Sequence, residues 1–543
     1  MKIAIAQIGT IPGKIQDNKQ KVLDYAERAK AAGAELVVFP ELTLTGYAAL
    51  DLFLKDDYVA ENINAIRQLA KLISGIKAIV GFVDIDQTRA RPDKKLLRYN
   101  SAVLIEDGKI TAVRDKSLLP EYDIFMEKRY FATSRRRDSI IINGKKVGLQ
   151  ICEDIMTSGY PINLIEEYAE NGVDLIINMS ASPFAVGKIS KRVEWLKKAQ
   201  SSTKAPVIYV NTAGVFDGYE GEVVFDGRSM FMDQTGVIRA MATPFKEDLI
   251  VIDTESSSLA VAPVESEIRV IHDALVFGIS EFAKRVGFKK AVLGLSGGID
   301  SAVVAALAVE AFGADNVDLI SMPTEFSSKE TRADAAELAN NLKAKFIEES
   351  IQPVFQSFRE IFKKLPSNST VAEELALENV QSRIRGAVLM GHANKTGAML
   401  LNTGNKTELS LGYCTLYGDM NGALAPLGDL SKNRVYDLAD FINSKKKVIP
   451  DALINRPPTA ELKPGQTDEI GLGFPYKVLS PLCEDLIESD QNIEELRQKY
   501  STEAIDSATR RIKLAEFKRR QAPPAIRITE KSFGVGRRIP LSY

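Results

Sequence analysis

The stretch KAVLGLSGGIDSAVVAALAVEAFGADNVDLISMPT, residues 290–324, constrains the fold more than any other part of the chain. A short apolar run is followed by a glycine-rich turn, a helix-length segment rich in alanine and valine, and a second apolar run. That order reads as a strand–helix–strand crossover, and such units give parallel strands joined by a right-handed connection. The region around it is therefore expected to be an open parallel sheet covered by helices.

With 543 residues the chain is too long for one hydrophobic core, so at least two domains are expected. From Lys2 to about Asp253, short β-rich runs alternate with amphipathic stretches: KIAIAQI, ELVVFPE, KAIVGFV, VGLQI, VDLIINMS, PVIYVNT and LIVIDT. These read as strands of a layered α/β or α+β domain. The serine-rich segment ESSSLAVAPVE, with Pro263, separates them from a new helical pattern. The expected division is a first domain over 1–256, a linker over 257–270 and a second domain over 271–543, both of the α/β class.

Several function classes drop out on composition. Hydrophobic residues make up 45% and charged residues 26%, and the formal net charge is -2, the profile of a globular protein without an overall charge suited to nucleic acid. No apolar run is long enough to read as a membrane span. The opening MKIAIAQIGT lacks the apolar core and cleavage site of a secretory signal, so a cytoplasmic location is expected. Cys152, Cys414 and Cys483 are odd in number and far apart, which argues against a disulfide framework or a zinc ribbon. Only two histidines, His272 and His392, are available, too few for a histidine-rich metal centre.

Three ionisable residues each close an apolar run: Glu41 after ELVVFP, Lys116 after KITAVRD, and Cys152 after VGLQI. A cysteine in such a place is by itself more often a packed core residue. If the three strands are neighbours, however, a carboxylate, an ammonium and a thiol meet at one rim. Glu41 can then take the thiol proton and return it to a leaving amine, while Lys116 and backbone N–H groups stabilise thiolate and oxyanion.

FPELTLTGY, DKSLLPEYDIFMEKRYF and ICEDI, in this order, resemble the nitrilase (carbon–nitrogen hydrolase) superfamily. The resemblance implies an αββα sandwich, a Glu41–Lys116–Cys152 triad and a supporting glutamate at Glu127. LLPEYDIFMEKRYF is similar to the glutamine-amidase branch, which implies a glutamine pocket lined by Tyr122, with Ser182 and Lys188 holding the amino-acid end. A polar loop at a strand end is the plainer reading of the last two.

In LGLSGGIDSAVV, backbone N–H groups and a helix N-terminus form an anion site that Gly297 and Gly298 leave open and the hydroxyls of Ser296 and Ser301 can extend. The lysine of a Walker A motif is missing. Asp300 would repel a phosphate unless a divalent cation lay between them, which points to Mg²⁺ with a polyphosphate. A glycine turn that simply starts a helix is the alternative. The loop Ser296, Gly297, Gly298, Ile299, Asp300 and Ser301 resembles the pyrophosphate loop of N-type ATP pyrophosphatases. That likeness implies a Rossmann-like adenine nucleotide alpha hydrolase fold binding ATP.

ENVQSRIRG, LLNTGNKTELSLGYCTLYGD, GDLSK and RPPTAELKPGQTDE look like successive NAD synthetase motifs, and the pairing with a nitrilase-like amidase resembles the glutamine-dependent NAD⁺ synthetases. The resemblance implies ATP, deamido-NAD⁺ and L-glutamine or ammonia as small-molecule substrates and Mg²⁺ held by Asp300 and Glu408. It also implies Lys432 and Thr403 at ATP, and Arg383, Asp419 and Glu408 at deamido-NAD⁺, with Arg385 a further phosphate partner; an ion pair on a helix surface is the alternative for the two arginines. A shielded ammonia passage and a homo-oligomer built on synthetase-domain dimers are likewise implied. Cys414, Cys483 and His392 read as structural. The basic stretch from Arg510 to Pro540 is either a solvated face or a phosphate- or subunit-facing segment. The alternatives are an amidotransferase acting on another adenylated carboxylate, an amidase joined to an ATP-sensing module, and a non-catalytic assembly protein.

Overall fold

The computed structural model describes residues 1–90, 96–218, 221–255, 266–534 and 536–541. It divides into two compact units, Met1–Phe216 with Val224–Glu265, and Asp217–Val223 with Ser266–Tyr543. Of the expected linker, residues 257–265 lie outside the described residues. Residues 267–270 open the helix Glu267–Val286 instead of continuing a linker, with Ser266 as its extended N-cap residue.

The first unit is built on two six-stranded sheets. One runs in the order Asp248–Asp253, Lys2–Gln7, Leu36–Val38, Lys77–Ala90, Leu96–Glu106, Lys109–Asp115. The other runs Ile238–Met241, Met230–Met232, Val207–Asn211, Leu175–Ser180, Lys145–Ile151, Ile140–Ile142. Side chains alternate across each strand, so two cores arise from one run of sequence. Ile3 and Ile5 join Leu149, Ile151, Ile177 and Val210 between the sheets. Ala4 and Ala6 join Val22, Ala26 and Ile66 of the helices Ile15–Ala31 and Asp56–Leu72. The far face of the second sheet is covered by Lys188–Thr203, through Leu196 and Ala199 against Ile176 and Tyr209. The result is the αββα sandwich that the resemblance implies.

The second unit contains four parallel strands in the order Lys345–Glu348, Val317–Ser321, Ala291–Gly294, Met399–Leu400. The chain runs outward from Ala291–Gly294 through Val317–Ser321 to Lys345–Glu348, then crosses back to lay Met399–Leu400 on the other side of Ala291–Gly294. This creates the switch point at whose carboxyl edge open α/β sheets bind ligands. The helix Ile299–Phe312 starts there and is buried from Ser301 to Ala308, which explains its nearly continuous alanine and valine. A further cluster formed by Tyr476–Glu488 and Thr502–Leu514 encloses Cys483. The strand Ala525–Arg527 pairs in parallel with residues 221–223. Among the described residues no helix is long and apolar enough to cross a membrane.

Candidate active sites

In the first unit the chain leaves the strand Leu36–Val38 and crosses directly over Gly81, where an added Cβ would stand 2.5 Å from the Leu42 nitrogen. That close crossing seats Glu41, which is 2% exposed. The Lys116 backbone N–H donates to the Asn100 carbonyl at 2.8 Å, extending the strand register and turning its side chain inward. Its Nζ donates to Glu41 Oε1 and Glu127 Oε1, both at 2.7 Å. Asn100 Nδ2 donates to Glu41 Oε1 at 2.7 Å, the Ala181 N–H to Glu41 Oε2 at 2.9 Å, and the Tyr47 hydroxyl to Glu127 Oε1 at 2.8 Å.

Cys152 ends the strand Lys145–Ile151 at a φ of 48°, left-handed backbone that is strained for a residue with a side chain and recurs at functional turns. Asp154 braces that turn. Its Oδ1 accepts the N–H groups of Ser117 and Leu118 at 2.9 and 2.8 Å, and its Oδ2 accepts that of Ile151 at 3.1 Å. One carboxylate thus ties the end of the Lys116 strand to the end of the Cys152 strand. Burial, then the Glu41 carboxylate, pushes the Cys152 thiol up, and Lys116 opposes them. Burial alone would lower Lys116, but Glu127 and Glu41 outweigh it and hold the ammonium well above its ordinary range. Two buried carboxylates share one ammonium, and Glu127, pushed up mainly by burial to about 7, carries the imbalance.

Tyr122 donates to both carboxylate oxygens of Glu153 at 3.0 Å, and Tyr160 donates to Glu153 Oε1 at 2.7 Å. Ser182 is fixed through its backbone: Asn211 Oδ1 accepts its N–H at 2.8 Å, and its carbonyl accepts Asn211 Nδ2 and Arg192 Nη2 at 3.0 and 2.8 Å. Lys188 opens the helix Lys188–Thr203. Sequence reasoning missed Tyr47, Asn100, Glu153 and Asp154. Only the acidic pair directly after Cys152 left a readable signal.

In the second unit, Ser296 Oγ accepts the Gly298 N–H at 3.2 Å, and the Ser301 hydroxyl donates to the Gly298 carbonyl at 2.9 Å. These bonds set the loop before Ile299 and Asp300 enter the helix. Asp300 Oδ1 accepts Asn405 Nδ2 at 2.9 Å, and its Oδ2 receives the Lys432 ammonium. Asn405 also caps the helix Lys406–Leu411 reciprocally with Glu408: its Oδ1 accepts the Glu408 N–H at 3.0 Å and its own N–H donates to Glu408 Oε2 at 3.3 Å, so one residue holds both acids. Glu408 Oε1 lies 3.4 Å from Lys432 Nζ. Burial, then the charge of Asp300, pushes Glu408 up to about 8.

Two hard carboxylates that repel one another and draw in an ammonium are a donor set suited to Mg²⁺. That ion is commonly held by one or two carboxylates, with phosphates and waters completing its shell. Asp468, 7% exposed and lining the same cleft, has a buried Oδ1 without a hydrogen-bond partner among the described residues, a further unmet demand for positive charge. Asp300 and Glu408 therefore fit the ion.

A cleft of about 300 Å³ joins this cluster to the loop, to Thr403 and to Asp419, a volume within the small-molecule range. Burial pushes Asp419 up to about 6. Arg385 lines the cleft, donates to the Met322 carbonyl at 3.2 Å and is lowered by burial to about 10. Arg383, expected at deamido-NAD⁺, instead lies exposed outside the lining and donates to the Leu416 carbonyl at 3.2 Å. The physical reason is helical spacing: two positions along a helix stand roughly 200° apart, so only one of the pair can face the cleft. Cys414 also lines the cleft, while His392 is held by Asp318 at 2.7 Å on a helix side.

Comparison with known proteins matches a carbon-nitrogen hydrolase family model at residues 2–263 and a NAD synthase family model at residues 271–522. A glutamine-dependent NAD(+) synthetase from Synechocystis sp. is 39% identical, over 99% of this chain and 98% of that protein. One from Acinetobacter baylyi is 36% identical over 99% and 98%. Among solved structures, a glutamine-dependent NAD⁺ synthetase from Acinetobacter baumannii in complex with adenosine diphosphate is similar at a TM-score of 0.77 and 34% identity, covering 99% of this chain and 98% of that one.

Proposed function

The chain belongs to the glutamine-dependent NAD⁺ synthetases, and on that premise we propose which of its residues carry each half of the reaction. The family activity is ATP-dependent amidation of deamido-NAD⁺, a carbon–nitrogen ligation with glutamine as nitrogen donor. The observation that carries the residue assignment is the buried Lys116 ammonium shared at 2.7 Å by Glu41 and Glu127, at the rim where Cys152 ends its strand.

Cys152 is the nucleophile. It rests as a thiol, and Glu41 accepts its proton as sulfur attacks the side-chain carbonyl of glutamine. Lys116 stabilises the oxyanion, and Glu127, supported by Tyr47, holds Lys116 in place. Glu41 then protonates the departing nitrogen, leaving ammonia and a glutamyl thioester. A water deprotonated by Glu41 hydrolyses the thioester to glutamate. Glu153, a buried carboxylate next to the nucleophile, receives the α-ammonium of glutamine, with Tyr122, Ser182 and Lys188 completing the pocket.

In the second unit the nicotinate carboxylate of deamido-NAD⁺ attacks the α-phosphorus of ATP, expelling pyrophosphate and forming an adenylate. The loop from Ser296 to Ser301 and Lys432 receive the phosphates, Thr403 lines the nucleotide site, and Asp419 and Arg385 face deamido-NAD⁺. Asp300 and Glu408 would hold Mg²⁺, which when bound supplies charge neutralisation on the leaving pyrophosphate. Ammonia then attacks the adenylate carbonyl, AMP leaves, and one proton is released with the amide. The proposal extends to a cytoplasmic homo-oligomer and to a domain division between residues 256 and 271.

The test is AMP and NAD⁺ formation from ATP, Mg²⁺ and deamido-NAD⁺, run with glutamine and with ammonium chloride. Cys152→Ala is expected to lose glutamine-supported synthesis and keep the ammonium-supported reaction. Asp300→Ala is expected to stop pyrophosphate release with either donor. Loss of both activities in Cys152→Ala, or unchanged pyrophosphate release in Asp300→Ala, refutes the assignment.

A further inference from the structure

The basic C-terminal segment does not simply coat the surface. Arg519, 9% exposed, points inward and donates through Nη1 to the carbonyls of Leu409 and Ser410 at 3.2 and 2.9 Å. Its Nη2 donates to the Ile512 carbonyl, its Nε to Glu516 Oε2 at 3.1 Å, and its guanidinium lies 4.6 Å from the centre of the Phe533 ring. Next to it, Lys518 donates to the carbonyls of Gly412 and Cys414 at 2.8 and 2.7 Å.

Two of the three carbonyls that Arg519 takes, those of Leu409 and Ser410, belong to the last turn of Lys406–Leu411, the helix that carries Glu408. The final carbonyls of a helix have no partner within it, and a six-residue helix has little cooperativity of its own to hold its shape. A buried guanidinium meets that need with fixed fork geometry and a charge suited to a helix C-terminus. The other end of the same helix is Asn405, which bonds Glu408 in the capping box and Asp300 at 2.9 Å. Lys406, buried within the helix, is anchored by Asp429 at 2.9 Å and by the Thr529 hydroxyl at 2.9 Å, again from the C-terminal part of the chain.

We propose that Arg519 is a positioning residue for adenylation: by fixing the last turn of Lys406–Leu411 it sets Glu408 and, through Asn405, Asp300 in the geometry that receives a divalent cation. This rests on the assignment of Asp300 and Glu408 as cation ligands. Replacing Arg519 by methionine removes the donor that the Leu409, Ser410 and Ile512 carbonyls share, and the acids lose their common frame.

The experiment uses the full chain and Mn²⁺ as the probe. Its affinity in the presence of ATP is read from the electron paramagnetic resonance signal of free Mn²⁺, beside the Mg²⁺ dependence of ammonium-supported AMP formation. Arg519→Met is expected to weaken Mn²⁺ binding and raise the Mg²⁺ requirement about tenfold, as outer-shell changes do, with the rate recovering at high Mg²⁺. Arg519→Lys should fall between the two. Glutamate release from glutamine should stay at the wild-type rate. Arg520→Met, which removes the exposed neighbour that pairs with the same Glu516 at 3.0 Å, should change neither quantity.

Mn²⁺ affinity within twofold of wild type in Arg519→Met overturns the proposal, and if that variant does not fold, the same result in Arg519→Lys does so. Asp300→Asn and Glu408→Gln separate the two levels. If they leave Mn²⁺ affinity unchanged the ligand assignment fails; if they weaken it and Arg519→Met does not, only the positioning role fails.

Discussion

Replacing Gly297 by alanine places a methyl group where the structure has no room for one. Gly297 has a φ of 80°, and a Cβ built there stands 2.4 Å from the Thr331 carbonyl oxygen and 3.0 Å from its carbon. Both are backbone atoms of the helix Lys329–Leu342, and the Thr331 side chain is itself bonded to Ser328 and Glu461. The neighbour cannot swing away as a flexible side chain would. Against an optimal contact of about 3.5 Å, the loop must retreat by roughly 1 Å. The left-handed backbone adds about 1–2 kcal/mol for any residue with a Cβ. At about 2–4 °C per kcal/mol for a unit of this size, the second unit should melt roughly 2–8 °C lower. The larger effect is on rate. A displacement of about 1 Å in a positioning element costs on the order of 10²-fold. Pyrophosphate release, measured with ammonium chloride so that the glutamine site plays no part, should therefore fall about 10²-fold. Glutamate release from glutamine alone should not change. A Gly297→Ala enzyme that forms pyrophosphate within threefold of the wild-type rate refutes the close contact between the loop and Thr331 and the role of the loop in seating phosphates.

Burial holds the Asp419 carboxyl up near 6, so it is largely neutral at pH 5 and ionised at pH 7. Because the nicotinate ring of deamido-NAD⁺ is cationic, the KM for this substrate should fall as pH rises through 6; Asp419→Asn should flatten the profile, and an unaltered profile in that variant removes the contact. Glu153→Gln should raise the KM for glutamine about 10- to 10²-fold, the range for losing one charged hydrogen bond, without affecting ammonium-supported synthesis. A KM within twofold of wild type would exclude Glu153 from the pocket.

The two-unit architecture and the chemistry of each unit were legible in the order of the residues. Period-two alternation, as in Ile3, Ala4, Ile5 and Ala6, is a local property that a strand expresses wherever it lies. Glu41, Lys116 and Cys152 could be singled out because each sits where an apolar run stops. The glycines and Asp300 could be singled out because the turn that carries them is contiguous in sequence.

What the fold alone decided depends on contacts between residues far apart in the chain. Tyr47 and Asp154 stand inside the quoted motifs and Asn100 outside them, but that they hold Glu127, Glu41 and the Cys152 turn becomes visible only once the strands have paired. Arg383 and Arg385 carry the same chemistry, and tertiary packing selects which of them turns toward the cleft. In the sequence Arg519 belongs to a basic tail open to two readings, a solvated face or a phosphate- or subunit-facing segment. Its charge is local information, but the carbonyls it satisfies lie 110 and 109 residues away, and only folding brings an unpaired helix end to that guanidinium.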